Sequence, residues 1–359
     1  MKKKFPDTLI LNGLLHDRIM ISNRIEQIEQ EIDPLIKEVF IFLKYWLNED
    51  ETIELITSGS TGIPKKIVVL KQQLLNSAAT TARYFELKPR MNALLCLSPK
   101  YIAGKMMIVR AMQNELNLVT TSVEANPLLN LHSKIDFAAL IPFQFAKVLD
   151  ESPEKLNLVA ALILGGSDIS ASLIASMSGI KTKVYHTYGM TETLSHIAVR
   201  DLNGPEKSEW FEILEGIEID MDERDCLTIY APLLCDKKLV TNDITQLLDK
   251  KRFKILGRID DVIVSAGNKI IPNQIEDKLA GLIDFPFAIS AVKDAHIGEI
   301  LVLVLTQQLS ASKLYKLWNK LEDKILQIYI PRKIVYLDVF PLLESGKLDR
   351  QTLKKLVNM

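Results

Sequence analysis

From about residue 50 to 190, short apolar runs alternate with stretches of helical periodicity, and that alternation restricts the chain to a sheet covered by helices. Thr52 to Thr57 reads as a strand, and Lys71 to Leu87 then sets Leu74, Leu75, Ala78, Ala82 and Phe85 at helical spacing. Ala93 to Leu97, Leu116 to Thr120, Phe137 to Ile141, Val159 to Leu164 and Lys183 to Tyr188 are further strands, most of them expected to be buried. From Phe211 to Phe253 the texture changes to short alternating stretches, Ile213 to Ile219 and Cys226 to Ala231, joined by the acidic turn Asp222-Glu223-Arg224-Asp225. That pattern predicts a small β subdomain. After the charged segment Leu256 to Asp261 come a predicted helix over Pro272 to Leu282, strands over Ala288 to Val292 and Glu299 to Thr306, and a helix over Ala311 to Leu326. The expected fold class is α/β. A large domain over residues 1–259, with helix-covered sheets and the small β subdomain, precedes a smaller α+β domain over 260–359, with the boundary near Asp260.

Charge narrows the choice of ligand. With 44 Lys+Arg against 45 Asp+Glu the formal net charge is −1, so no global field attracts nucleic acid or an anionic membrane, and a polyanion must be held locally. Cys96, Cys226 and Cys235 are too few and too irregularly spaced for a disulfide framework, and no Cys/His cluster has zinc-ligand spacing. Lys2-Lys3-Lys4 is followed by Phe5-Pro6-Asp7 where a signal peptide needs an apolar stretch. Apolar runs such as Ile300 to Leu305 are far shorter than the ~20 residues of a spanning helix. A cytoplasmic protein with no membrane and no nucleic-acid partner is expected.

The sharpest local signal is Thr57-Ser58-Gly59-Ser60-Thr61-Gly62-Ile63-Pro64-Lys65-Lys66, placed after a strand and ahead of a helix. Two glycines allow close backbone approach, the hydroxyls and backbone N–H groups face phosphate oxygens, and Lys65 adds charge. It is not the GxxxxGK[ST] loop, because Pro64 stands where that pattern needs its second glycine. An ordinary Ser/Gly turn is the competing reading.

With Tyr188-Gly189-Met190-Thr191-Glu192-Thr193, Thr241-Asn242-Asp243, Gly257-Arg258-Ile259-Asp260-Asp261 and Ser345-Gly346-Lys347-Leu348-Asp349-Arg350, this loop resembles the signatures of the acyl-CoA synthetase and adenylation-domain superfamily, in the family's order. The resemblance implies carboxylate attack on the α-phosphate of ATP with release of pyrophosphate, and Mg²⁺ and CoA as further requirements. Donors, a cation and positioning would carry such a transfer rather than a protein nucleophile. It places Thr57, Ser58, Gly59, Ser60, Thr61, Gly62, Lys65, Gly165, Tyr188, Gly189, Thr191, Asp243 and Arg258 around ATP. Thr191 would contact the α-phosphate, Glu192 hold the metal, Asp243 take the ribose hydroxyls and Arg258 assist at the ribose or phosphate. Lys347 would bridge the acyl carboxylate and the α-phosphate, with Lys65 and Thr191 beside it in catalysis, and Asp260 would be the hinge. Ser265 to Ile270 resembles the loop facing the thiol acceptor through Gly267, with Ala266 where relatives carry a second glycine. Asn242 replaces the usual glycine of Thr-Gly-Asp, and the expectation is a left-handed turn that Asn tolerates.

Only 56 residues precede Thr57, which resembles short o-succinylbenzoate–CoA ligases with an abbreviated first subdomain. Such an acid carries a second carboxylate, so its pocket needs a cation or several donors. Lys100, Lys105, His186 and His196 are the candidates, and Tyr101, Ser167, His186 and His196 are assigned to the acyl pocket. Two other readings stay open: a ligase for another aryl or short acyl acid, including one that loads a carrier protein, and a nucleotide-binding homologue without turnover.

Overall fold

The computed structural model describes residues 5–57, 65–279, 282–283, 285–324, 326–342 and 348–359, without the side chains of residues 57, 65, 323 and 324. A mixed sheet of 13 strands forms its body. At the centre Asn92–Leu95, Ile135–Leu140, Val159–Leu164 and Lys183–Gly189 run parallel, with Asn117–Thr120 and Leu9–Leu11 continuing the parallel set on one side. On the other side the sheet turns antiparallel through His196–Asp201, Phe211–Ile213, Arg252–Arg258, Leu239–Leu247, Cys226–Tyr230 and Glu218–Met221. Val159–Leu164 reads as a continuous apolar run, as expected of a central strand in a sheet covered by helices. Leu94, Leu162 and Leu164 pack on one face, and Ala93, Leu95, Phe137 and Ile163 on the other.

A second sheet of five strands is built from Ile263–Ser265, Asn268–Ile270, Phe287–Asp294, Gly298–Leu305 and Lys333–Tyr336, with helices Pro272–Leu279, Ala311–Lys324 and Arg350–Leu356 against it. Its apolar clusters, around Ile275, Leu303 and Leu321 and around Val302 and Leu353, share no residue with those of the large sheet. Among the described residues no helix is long and apolar enough to cross a membrane.

Three local expectations are corrected. The Gly/Ser/Thr loop does not run straight into a helix: Lys65–Leu70 is a strand paired residue by residue with Thr52–Thr57 in a ribbon separate from the large sheet, and helix Lys71–Tyr84 follows it. The alternation of Lys66, Val68 and Leu70 with Ile67 and Val69 carries that strand, with the β-branched residues favouring it. Ile213 to Ile219 is not one strand but the end of Phe211–Ile213 and the start of Glu218–Met221, broken by a turn with Gly216 at φ +79°. Within the segments Pro272 to Leu282 and Ala311 to Leu326 the described helices are Pro272–Leu279 and Ala311–Lys324, and Leu282 and Leu326 lie outside them.

Candidate active site

In open α/β sheets, ligands settle beyond the carboxyl ends of the parallel strands. Two of those ends here carry Gly165 and Gly189. Each glycine is a close approach: a Cβ on Gly165 would lie 2.8 Å from Thr187 Oγ1, and one on Gly189 would collide with the Ser195 carbonyl. Beyond Gly189 the chain makes a single 3-10 turn, Thr191–Thr193, whose geometry is held by Thr193. The buried Thr193 hydroxyl accepts from the Met190 amide at 2.9 Å and donates to the Ser195 carbonyl at 2.7 Å. Leu194 then sits at φ +65°, a strained conformation for a bulky side chain, and its complete burial holds it there. The turn leaves Glu192 exposed and Thr191 half-buried at its tip. Leu194 and Thr193 carry no motif chemistry of their own; the adjacent Thr-Glu pair is the only signal in the sequence that their turn matters.

Three residues before the turn, Tyr188 donates its hydroxyl to Asp243 Oδ2 at 2.6 Å. Asp243 and Arg258 are cross-strand partners, and Arg258 Nη1 lies 3.4 Å from Asp243 Oδ1. Burial, then the neighbouring Asp243 charge, pushes the Tyr188 phenol well above its ordinary range, so it stays a donor at neutral pH. Three motifs far apart in sequence thus meet at one carboxylate. Arg258 Nη2 also reaches Asp260, at 3.2 Å, on the 3-10 turn Ile259–Asp261. Asn242 donates to the same Asp260 carboxylate at 3.2 and 3.3 Å. Asn242 is not in a left-handed turn: it continues strand Leu239–Leu247, and its side chain rather than its backbone is what distinguishes it from glycine.

Further along, Arg350 is clamped to Glu276 at 2.6 Å and lies 3.7 Å from Asp261. Ala266 and Gly267, at φ +48° and +80°, form the exposed two-residue turn of hairpin Ile263–Ile270. The backbones of Thr57 and Lys65 pair at the mouth of the ribbon. Ser58, Gly59, Ser60, Thr61, Gly62 and Lys347 lie outside the described residues.

The acyl-pocket candidates separate. Tyr101 is 59% exposed immediately ahead of helix Ile102–Gln113. Lys100 pairs with Glu38 at 3.1 Å and Lys105 donates to the Lys100 carbonyl, so both are engaged at the surface. His186 accepts from Arg200 and contacts the Ser167 carbonyl. His196 lies on strand His196–Asp201 and is buried, with Nε2 3.3 Å from Thr81 Oγ1. Burial, reinforced by the Arg110 charge, holds its imidazole well below the ordinary histidine range.

Arg110 is the cation that sequence reasoning passed over. It is 2% exposed, its Nη2 donates to Ser195 Oγ at 2.6 Å, its Nη1 reaches only the Met107 sulfur at 3.4 Å, and its Nε has no partner. Among the described residues no carboxylate pairs with it, and burial pushes its pKa down to about 10. Its signal was present: a single arginine inside the apolar run Met106 to Met112.

The sequence profile of AMP-binding enzymes matches residues 46–212. A solved acyl-CoA synthetase (AMP-forming)/AMP-acid ligase II-like protein from Dyadobacter fermentans is 34% identical, with 92% of this chain and 97% of that one covered and a TM-score of 0.62. The chain belongs to the AMP-binding enzyme family. Among curated relatives of this AMP-binding enzyme, a 2-succinylbenzoate–CoA ligase of Lactococcus lactis is 28% identical over 327 residues, covering 85% of this chain and 71% of the relative. An o-succinylbenzoate coenzyme A synthetase from Bacillus subtilis, solved with ATP and magnesium ion, shares the fold at a TM-score of 0.72 and 22% identity, over 84% of this chain and 69% of that one. The mixed α/β architecture matches that of solved adenylate-forming enzymes.

Proposed function

We propose that this enzyme joins o-succinylbenzoate to CoA, using ATP and Mg²⁺ and passing through the acyl-adenylate. The observation that carries the choice of acid is Arg110. A buried guanidinium without a carboxylate is costly, and a substrate that brings a second anionic group satisfies it. Its neighbour Ser195 lies four residues from Thr191, so the charge stands beside the turn assigned to the reacting phosphate.

In this reading Asp243 takes the ribose hydroxyls, Tyr188 and Arg258 orient it, and Gly165 and Gly189 admit the nucleotide to the strand ends. Thr191, Lys65 and the loop Thr57 to Gly62 neutralise phosphate charge. Glu192 fits a hard divalent cation: it is an exposed carboxylate with no ion pair among the described residues, and a magnesium ion with one protein carboxylate fills its shell with phosphate oxygens and water. When bound, that cation would neutralise charge on the departing pyrophosphate. Residues 1–259 and 260–359 are assigned as the two domains, with Asp260 the hinge, Lys347 delivered to the adenylating step and Gly267 to the thiol step.

The test is pyrophosphate release with ATP, Mg²⁺ and a panel including o-succinylbenzoate and benzoate, with and without CoA, and mass spectrometry of the products. Formation of o-succinylbenzoyl-CoA only when all components are present is the expected result. Turnover confined to another acid would replace the substrate and keep the chemistry. Absence of pyrophosphate with every acid would overturn the ligase reading.

A further inference from the structure

His186 and Arg200 face each other as cross-strand partners on strands Lys183–Gly189 and His196–Asp201. Arg200 Nε lies 3.2 Å from His186 Nδ1, and His186 Nε2 lies 3.3 Å from the Ser167 carbonyl oxygen. A guanidinium only donates and a carbonyl oxygen only accepts. The imidazole between them therefore has one arrangement that satisfies both contacts: Nδ1 bears the lone pair and Nε2 bears the proton. Arg200 is itself fixed, with its guanidinium carbon 4.9 Å from the centre of the Phe211 ring and Nη1 3.4 Å from the Glu209 carbonyl. The His186 ring packs on the same Phe211 at 5.0 Å. Burial draws the Arg200 guanidinium below its ordinary range, and the charges of Asp168, Glu209 and Asp277 act against that shift.

We infer that Arg200 and His186 are a positioning pair that fixes the Gly165–Ser167 loop at the rim of the site. The loop has two other attachments: the Gly165 amide donates to the Leu140 carbonyl at 3.2 Å, and Thr187, whose hydroxyl sits under Gly165, donates to the Leu164 carbonyl at 3.1 Å. The first holds Gly165 and the second holds the strand residue just before it. Gly166, at φ +87°, then turns the chain with no side chain to pack, so the Ser167 carbonyl is the attachment that sets the path of the rest. Because His186 is two residues before Tyr188 on the same strand, the pair ties the loop to the strand that carries the Tyr188–Asp243 contact. Arg200 does not touch a reacting atom; it acts by selecting the tautomer that points a donor at Ser167.

The consequence for nucleotide binding rests on the proposed nucleotide site, whereas the tautomer and the loop's order do not. The chain has 5 histidines, so protein labelled with ¹⁵N-histidine gives resolvable long-range ¹H–¹⁵N spectra, with His186 assigned by H186Q. Expected in the wild type is a protonated Nε2 and an unprotonated Nδ1. In R200M the two tautomers should mix, and amide hydrogen exchange at Gly166 to Asp168 should rise about tenfold, the scale of one lost hydrogen bond. ATP affinity should fall by about the same factor, with KM for ATP moving and kcat for adenylation nearly constant. R200K keeps the charge among Asp168, Glu209 and Asp277 and separates tautomer selection from local charge, while H186Q, which retains a donor near the Nε2 position, should recover part of the loop protection that H186F loses. A wild-type imidazole protonated at Nδ1, or R200M and H186F proteins with unchanged loop exchange, overturns the pair. Expected tautomer and exchange results in a protein that binds no ATP uphold the pair and instead refute the nucleotide reading.

Discussion

Arg110 and His196 make opposite demands on the same buried corner, and both are open to measurement. Replacing a buried, carboxylate-free guanidinium by an apolar side chain of similar length removes an uncompensated charge, so R110M should keep or raise thermal stability. If Arg110 meets the second carboxylate of the acid, the same variant loses a charged hydrogen bond of about 2 kcal/mol, raising KM for o-succinylbenzoate by about 30-fold while KM for ATP stays put. Lower stability with an unchanged KM would make Arg110 a packing residue. His196 predicts a pH dependence. Its folded-state affinity for a proton is depressed by burial and by Arg110, so below the unfolded value of about 6.5 the unfolded chain binds a proton that the folded chain refuses. Stability from this site is complete above that pH and falls by up to about 1.4 kcal/mol per pH unit below it. Chemical denaturation at pH 7.5 and 5.5 should show the loss, and H196F should abolish it. At this scale, Tyr188, Asp243 and Arg258 were legible because polar residues at motif spacing have few structural uses. Arg110 was not, because the periodicity around it signals core, and only three-dimensional packing reveals that no acid among the described residues accompanies it.

Elements were legible where a strand is continuously apolar, as in Val159–Leu164. They were misread where the environment is one-sided. Lys65–Leu70 alternates charge and β-branched residues, and its partner Thr52–Thr57 supplies the pairing that decides for strand over helix; pairing across a loop is a non-local fact that local propensity does not contain. The hairpin Ile263–Ile270 shows the reverse situation, a departure visible in sequence whose cost needs structure. Ser265 pairs with Asn268, so Ala266 and Gly267 form a two-residue connection with both residues at positive φ, the mirror-image turn that suits the strand twist. Ala266 at φ +48° pays the steric penalty of a Cβ in the left-handed region, on the order of 1 kcal/mol. A266G should therefore stabilise the chain by about that amount, against the usual direction of alanine-to-glycine change, measured as a higher denaturation midpoint with an unchanged slope. Destabilisation would mean that the turn is held in another conformation.

At the scale of the whole molecule the decisive contacts are those that a rotation about Asp260 would break. Its carboxylate is held by Asn242 at 3.2 and 3.3 Å and by Arg258 at 3.2 Å, and both donors belong to the antiparallel part of the large sheet. A glycine at position 242 would leave only Arg258. Asn242 is further held by Arg224, whose Nη1 lies 3.3 Å from Asn242 Oδ1, and Arg224 is itself paired with Asp222 at 2.7 Å. The tether is exposed, so each hydrogen bond contributes modestly, about 0.5–1.5 kcal/mol, yet that range is comparable to the bias needed to shift a two-state population severalfold. If residues 260–359 turn about this point between adenylation and thioester formation, the tether favours the arrangement seen here. If that arrangement is the adenylating one, N242G should speed thioester formation from preformed acyl-adenylate and CoA by about threefold to tenfold, and slow single-turnover adenylation by no more than that. K347A supplies the contrast: if Lys347 is the bridging lysine proposed above, its loss should abolish adenylation and leave the thiol step nearly intact. Rapid-quench assays of the two half-reactions separate the cases. Equal slowing of both steps by N242G would show that Asn242 serves only the local fold, and the hinge assignment would lose its one structural support outside the family pattern.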